Sequence, residues 1–162
     1  MKKKQAVGRC TSFRTNVGAV LAGDDGRILA FSRADKRNPT WQMVQGGVNS
    51  GEELSKAVRR EIKEETGIWG NDLTFIAESS HWHAYEFPLQ VQKEKKFRGQ
   101  VQKWFLFRFS GVVSKIHLGK NGTHAEFDDW KWTTLSDLAK EVVTFKRHVY
   151  EALVIDFGSH LK

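Results

Sequence analysis

The sequence predicts an α/β or α+β sandwich, with strands and helices stacked in layers rather than set in a regular parallel sheet. Three observations point there. Short β-rich segments precede, separate and follow two helical patterns. The 162 residues are enough to bury a core. A make-up of 40% hydrophobic and 28% charged residues excludes disorder and a coiled coil.

Residues 15–21 and 28–32 read as strands. Between them Gly23-Asp24-Asp25-Gly26 supplies a hairpin turn, since Asp-Gly tolerates the positive φ such turns need. A polar loop over 33–40 leads into Trp41-Gln42-Met43-Val44, and further strands are expected at 73–79, 83–87, 101–109 and 129–133. The first helix is expected over 50–66. Ser50-x-x-Glu53 reads as its capping box and Gly67 as its left-handed stop. A second runs over 146–157 with Val149, Leu153 and Phe157 on one buried face, and a short helical turn is expected at 136–140. There is no repeat and no Gly/Ser linker, and the only prolines are Pro39 and Pro88. One domain is therefore expected over 13–162, behind a flexible basic N-terminus at 1–12.

Lys and Arg number 26 against 19 Asp and Glu, a formal charge of +7 that favours an anionic partner. The single cysteine, Cys10, excludes an internal disulfide and a paired-cysteine zinc site. No apolar run approaches the roughly 20 residues that span a bilayer, and the basic start lacks a leader's apolar segment. A cytoplasmic setting without membrane attachment is the expectation. His81 and His83 alternate as on a strand, Trp104, Trp130 and Trp132 read as packing residues, and Lys93, Lys95, Lys96 and Arg98 read as a solvated loop.

The first helix carries its acids on the wrong side. Leu54, Val58 and Ile62 define its apolar stripe, yet Glu65 lies only about 20° and Glu61 about 60° from the stripe's centre. Glu64 borders it, while Lys56, Arg59, Arg60 and Lys63 point away. A solvated charged face explains this poorly, because Glu61 and Glu65 repel one helical turn apart and burial raises that cost. A hard divalent cation resolves the conflict.

The spacing Gly46-x5-Glu52-x7-Arg60-Glu61-Ile62-x-Glu64-Glu65-x-Gly67-Ile68 resembles the Nudix box at every fixed position. The resemblance implies an α/β/α sandwich around a mixed central sheet. It also implies hydrolysis of a nucleoside diphosphate linked to another moiety, with Mg²⁺ or Mn²⁺, roughly two or three ions. By position, Glu61, Glu64 and Glu65 resemble the metal ligands, assisted by the carbonyl of Gly46 or Gly47. Arg60 resembles the residue that orients them, and Glu52 the one that braces loop and helix.

Further stretches resemble one subgroup, the bacterial RNA 5′-pyrophosphohydrolases and the related dinucleoside polyphosphate hydrolases. They are Phe13-Arg14-Thr15-Asn16-Val17-Gly18, Trp41-Gln42-Met43-Val44-Gln45-Gly46-Gly47, Trp82-His83-Ala84-Tyr85-Glu86-Phe87-Pro88, Gly99-Gln100-Val101-Gln102-Lys103-Trp104-Phe105, Glu126-Phe127-Asp128-Asp129-Trp130-Lys131-Trp132, and Val143-Thr144-Phe145-Lys146-Arg147. Val44 stands where that subgroup has proline, and Phe13 where it has tyrosine.

The resemblance makes Glu126 a further metal ligand or catalytic carboxylate, alongside Glu64, Glu65 and Arg60. It makes Phe145 and Arg33 a pair that sandwiches a nucleobase. Arg14, Lys103, Lys146 and Arg147 become phosphate contacts, with Tyr85 lining the same cleft. The implied substrate is 5′-tri- or diphosphorylated RNA, trimmed to a monophosphate by a monomeric enzyme. A dinucleoside polyphosphate is the alternative, and a catalytically silent RNA-binding module the rival of another class.

Overall fold

The structure, a computed structural model, describes residues 10–119 and 125–162. The expected flexible N-terminus lies outside them up to residue 9. Beyond that, the Cys10 thiol donates to the Gln92 carbonyl, and the Ser12 carbonyl accepts from the Arg98 N–H. Among the described residues the order is β1 (Phe13–Ala22), β2 (Ile28–Arg33), β3 (Trp41–Gln42), β4 (Val44–Gly47), α1 (Leu54–Thr66), β5 (Leu73–Glu78), β6 (His83–Glu86), α2 (Leu89–Lys95), β7 (Gly99–Phe109), β8 (Phe127–Thr133), α3 (Leu135–Glu141) and α4 (Arg147–Phe157).

The strands form one mixed sheet. Its spine is a parallel pairing of β1 with β7, in unbroken register from Phe13↔Gly99 to Ala22↔Arg108. The two are remote in sequence, as parallel neighbours must be. β5 and β6 pair antiparallel with the two halves of β7, joined at Ser79, whose N–H donates to the Trp104 carbonyl. The expected turn at residues 23–26 forms, with Gly26 at φ 79°. It closes a hairpin held only at Ala22↔Ile28, because β1 turns to β4 while β2 turns to β3 and β8.

Strand alternation feeds two cores. Val17, Ala19 and Leu21 face Ala57, Val58 and Ile62 of α1, together with Phe105 and Phe107. Val20, Ala22, Trp104 and Leu106 face α3 and α4 through Leu138, Val149, Tyr150, Leu153 and Phe157. Helices thus cover both faces, an α/β/α sandwich. Gly18 is needed because a Cβ there would fall 2.4 Å from the Trp104 ring. Trp104 is fully buried, and Trp130 and Trp132 pack against the α1-side core.

Three local expectations need correction. No side chain caps α1: it starts at Leu54, Glu53 is its N-cap without a side-chain bond, and Ser50 sits in a preceding turn where Gly51 takes φ 73°. Glu52 is drawn instead to the Asn49 N–H and to Arg60. Gly67 does stop the helix, at φ 74° with its N–H on the Lys63 carbonyl. Second, residues 89–95 are helical rather than loop: Pro88 leads into α2 and Lys96 closes it at φ 59°. Third, the helical wheel turns Arg60 off the apolar stripe, yet its long side chain reaches back to Glu61 on that stripe as well as to Glu64, the contacts that the resemblance implies for it.

Candidate active site

The site grows from the junction of β4 and α1. The antiparallel pairing Val17↔Gly46 and Asn16↔Gly47 fixes the two glycines beside β1. From α1, Arg60 folds back over that junction. Its Nε and Nη2 donate to the two Glu52 oxygens at 2.8 and 2.9 Å, and Nη2 also to the Gly47 carbonyl at 2.8 Å. Its Nη1 donates to Glu61 at 2.8 Å and to Glu64 at 3.2 Å. A planar guanidinium with five donors can serve so many acceptors, which a lysine could not. The paired guanidinium, helped by the Asn49 N–H, holds the Glu52 carboxyl down to about 2.

Beside this node lies a cleft of about 440 Å³, which Arg14, Arg33, Gly46, Gly47, Glu61, Glu65, Tyr85, Glu126, Phe145 and Lys146 all line. Elements far apart in sequence therefore bring together ten of the residues singled out above. A Cβ at Gly46 would fall 2.0 Å from the Glu61 carboxyl carbon, and one at Gly47 would fall 2.1 Å from Arg14 Nη2. Only glycine lets the acid and the base approach the strand so closely. Glu126 reaches the cleft just before β8, where its carbonyl accepts from the Ala34 N–H and its carboxylate meets Arg33 Nη1 at 3.0 Å. Glu64 lies outside the cleft, exposed and held by Arg60.

Burial and neighbouring carboxylates set the charge state. Glu61 is 9% exposed, and its desolvation outweighs the Arg60 contact to raise its pKa. Burial, with Glu126, Glu61 and Glu64 in support, pushes Glu65 up to about 7. Among the described residues, no three carboxylate, imidazole or thiol groups come close enough together to enclose one ion. Arg60 holds Glu61 and Glu64, and Arg33 holds Glu126. The donors nonetheless suit a hard cation: half-buried carboxylates that raise one another's pKa lack positive charge, and oxygen-only ligands are what Mg²⁺ prefers. Each of these carboxylates gives its arginine one oxygen, Glu61 Oε1, Glu64 Oε2 and Glu126 Oε1, and keeps the other for an ion. The Gly47 carbonyl, already engaged by Arg60, is the weaker backbone candidate of the two glycines.

The substrate-contact expectations divide. Phe145 packs against Tyr85 and Phe87 at 5.6 and 6.3 Å between ring centroids, forming an aromatic end to the cleft. Arg33 lies among the acids, paired with Glu126 and gripped by both oxygens of Asp35 at 2.8 and 2.7 Å. Lys146 is 5% exposed, donating to Gln42 at 3.1 Å and to Gln45 at 3.3 Å. Lys103 does not line the cleft. It lies between Gln102 and Trp104, whose side chains are buried together on the α3/α4 side, so alternation turns Lys103 to the α1 side. Arg147 does not line it either, and its guanidinium donates to the Lys140 carbonyl at the end of α3. Gln42, Gln45, Gln100 and Asp35 line the cleft without having been singled out. For the glutamines a signal existed: amides set among large apolar residues and glycines in the short strand segments 41–47 and at the start of β7.

Comparison with known proteins agrees with this geometry. A family description, the NUDIX domain, matches residues 12–153. A Cereibacter sphaeroides protein named RNA pyrophosphohydrolase is 40% identical over 152 residues, covering 92% of this chain and 93% of its own. The Arabidopsis thaliana protein Nudix hydrolase 26, chloroplastic, is 40% identical over 157 residues, covering 93% of this chain and 71% of its own. In fold, a Caenorhabditis elegans Ap4A hydrolase complex superposes with a TM-score of 0.65 at 20% identity, covering 90% of this chain and 98% of that one. Nudix hydrolases generally use divalent metal ions. The box on the β4–α1 junction, its arginine node and the match over residues 12–153 together establish that this chain belongs to the Nudix family.

Proposed function

We propose that the cleft removes phosphate or pyrophosphate from the 5′ end of tri- or diphosphorylated RNA, leaving a monophosphate. The observation that carries this is the cleft's composition. Acids from α1 and from the residue before β8, basic groups from β1, β2 and the residue before α4, and an aromatic end share one space. Such a space takes a polyphosphate, its counter-ion and a stacked base at once. The relatives named RNA pyrophosphohydrolase, at 37–40% identity across most of the chain, support the same activity. The reaction is hydrolysis of a phosphoanhydride bond.

Glu61, Glu64, Glu65 and Glu126, with the Gly46 carbonyl, would hold Mg²⁺ or Mn²⁺. Bound there, the ions supply an acidified water and neutralise the phosphates. The chain's own residues do the positioning. Arg60 and Glu52 fix the angle at which α1 presents its carboxylates. Arg14 and Lys146 bind phosphate oxygens, and Phe145 with Arg33 stacks the first bases of the RNA. Positioning and charge neutralisation dominate, since phosphoryl transfer asks little covalent work of the protein.

The test compares turnover of triphosphorylated RNA with that of diadenosine tetraphosphate at equal concentration. Faster release from RNA is expected. Preference for the dinucleotide would replace this reading, and RNA binding without phosphate release would point to a silent binding module.

A further inference from the structure

Lys146 is a buried cation whose hydrogen-bond partners are amides. Its Nζ donates to the side-chain oxygens of Gln42 and Gln45 and lies 5.6 Å from the centre of the Tyr85 ring. No carboxylate forms an ion pair with it among the described residues, although Glu126 and Asp35 line the same cleft. Arg33 has taken both of those acids.

The amides are themselves fixed. Gln45 turns its oxygen to Lys146 because its Nε2 is committed elsewhere, donating to the Tyr85 hydroxyl and to Gln100 Oε1, both at 3.1 Å. Tyr85 donates in turn to Gln100. Gln42 is 2% exposed and comes from β3 on the other side. Tyr150, on α4 one turn after Lys146, receives the Met43 N–H at 2.9 Å, so the first of the two residues between the glutamines is pinned to that helix.

We propose that Gln42 and Gln45 are positioning residues: a carboxylate-free cradle that holds the Lys146 ammonium in place without neutralising it, keeping its charge for the polyphosphate. An amide carbonyl satisfies an N–H donor but carries no net charge, so the field of the ammonium still reaches into the cleft. A glutamate in either place would still accept from the lysine but cancel that field, and at Gln45 it would also give up the donations to Tyr85 and Gln100. The same lack of a counter-ion lets burial pull Lys146 down to about 7, helped by Arg33 and Lys95 and opposed by Glu126 and Asp35, so at neutral pH the ammonium is only partly populated until an arriving phosphate favours uptake of a proton from solvent. The inference rests on the polyphosphate reading of the cleft but not on RNA being the polyphosphate.

The test uses two charge-introducing variants, Gln45→Glu and Gln42→Glu, each in the native chain and combined with Lys146→Met. Binding of methylenediphosphonate, a non-hydrolysable pyrophosphate analogue, is measured by calorimetry with Mg²⁺ present. Each glutamate is expected to weaken binding by about tenfold when Lys146 is present, and by less than about twofold when methionine replaces it, because a carboxyl shielded from water with no cation beside it stays protonated. Turnover of triphosphorylated RNA should carry the loss in KM rather than in kcat. The cradle is overturned if neither glutamate weakens binding, if the loss persists in the Lys146→Met background, or if it falls on kcat alone. Because the two substitutions arise on different strands, one that fails to fold leaves the other to decide. Failure of RNA turnover with the binding pattern intact would refute the RNA reading and leave the cradle standing.

Discussion

Glu65 concentrates the site's electrostatics. Its pKa of about 7 lies above the ordinary 4.5, so the folded chain holds a proton there more tightly than the unfolded one. Stability from this group is therefore complete below about pH 4.5 and is lost as pH rises through about 7. A divalent ion replaces the missing proton. Thermal melts with and without Mg²⁺ should accordingly differ more at pH 8 than at pH 5.5, and an equal difference at both would contradict the charge assignment. Glu65→Gln should abolish turnover while its melting temperature stays level or rises, since it removes one of several repelling carboxylates. Near-normal activity in that variant would sink the metal-site assignment. Gly46→Ala tests the approach of the strand: its methyl would overlap the Glu61 carboxyl, and calorimetry should show Mg²⁺ affinity falling at least about tenfold.

At the scale of elements, α4 and β1 bear the packing. Leu153 is fully buried between α4 and the sheet, and Leu153→Ala should cost about 2–5 kcal/mol in denaturant unfolding. Gly18→Ala should also destabilise, by about 1–3 kcal/mol, because Trp104 has no room to retreat from the new methyl. A loss below about 0.5 kcal/mol at either site would show that the sheet relaxes there. α1 shows where local pattern yields to tertiary contact. Ser50 and Glu53 have the spacing of a capping box, but the Glu52–Arg60 pair and the turn at Gly51 set the start of the helix instead. At α2 the polar run of lysines and glutamines hides a helix that Pro88 introduces, proline being well suited to a helix start. Its stability comes partly from burial of Gln92, whose amide donates to the Phe87 carbonyl at 2.8 Å. Val44, where the subgroup has proline, is buried in β4 and pairs with Ala19, so it serves as an ordinary ladder residue.

At the scale of the whole molecule, the charge of +7 is a sum over opposed regions. Glu52, Glu53, Glu61, Glu64 and Glu65 crowd around one helix, while Arg14, Arg33, Lys95 and Lys146 line the cleft beside it. Under the proposed RNA reading the trailing chain would meet this basic lining, so KM for triphosphorylated RNA should rise several-fold between about 0.05 and 0.5 M salt. A salt-independent KM would remove that lining from substrate binding.

Much of this was legible in the chain itself. Strand segments, the stop at Gly67, the buried face of α4 and the misplaced acids of α1 all follow from periodicity and local chemistry, which act between residues a few positions apart. Only the tertiary structure decided that Lys103 lies off the cleft and that Arg147 serves α3. It alone set amides rather than acids around Lys146. Those outcomes depend on which strands lie side by side and on how far a long side chain reaches. Both are settled by contacts between segments such as residues 42–45 and Lys146, about a hundred positions apart, which no local pattern encodes.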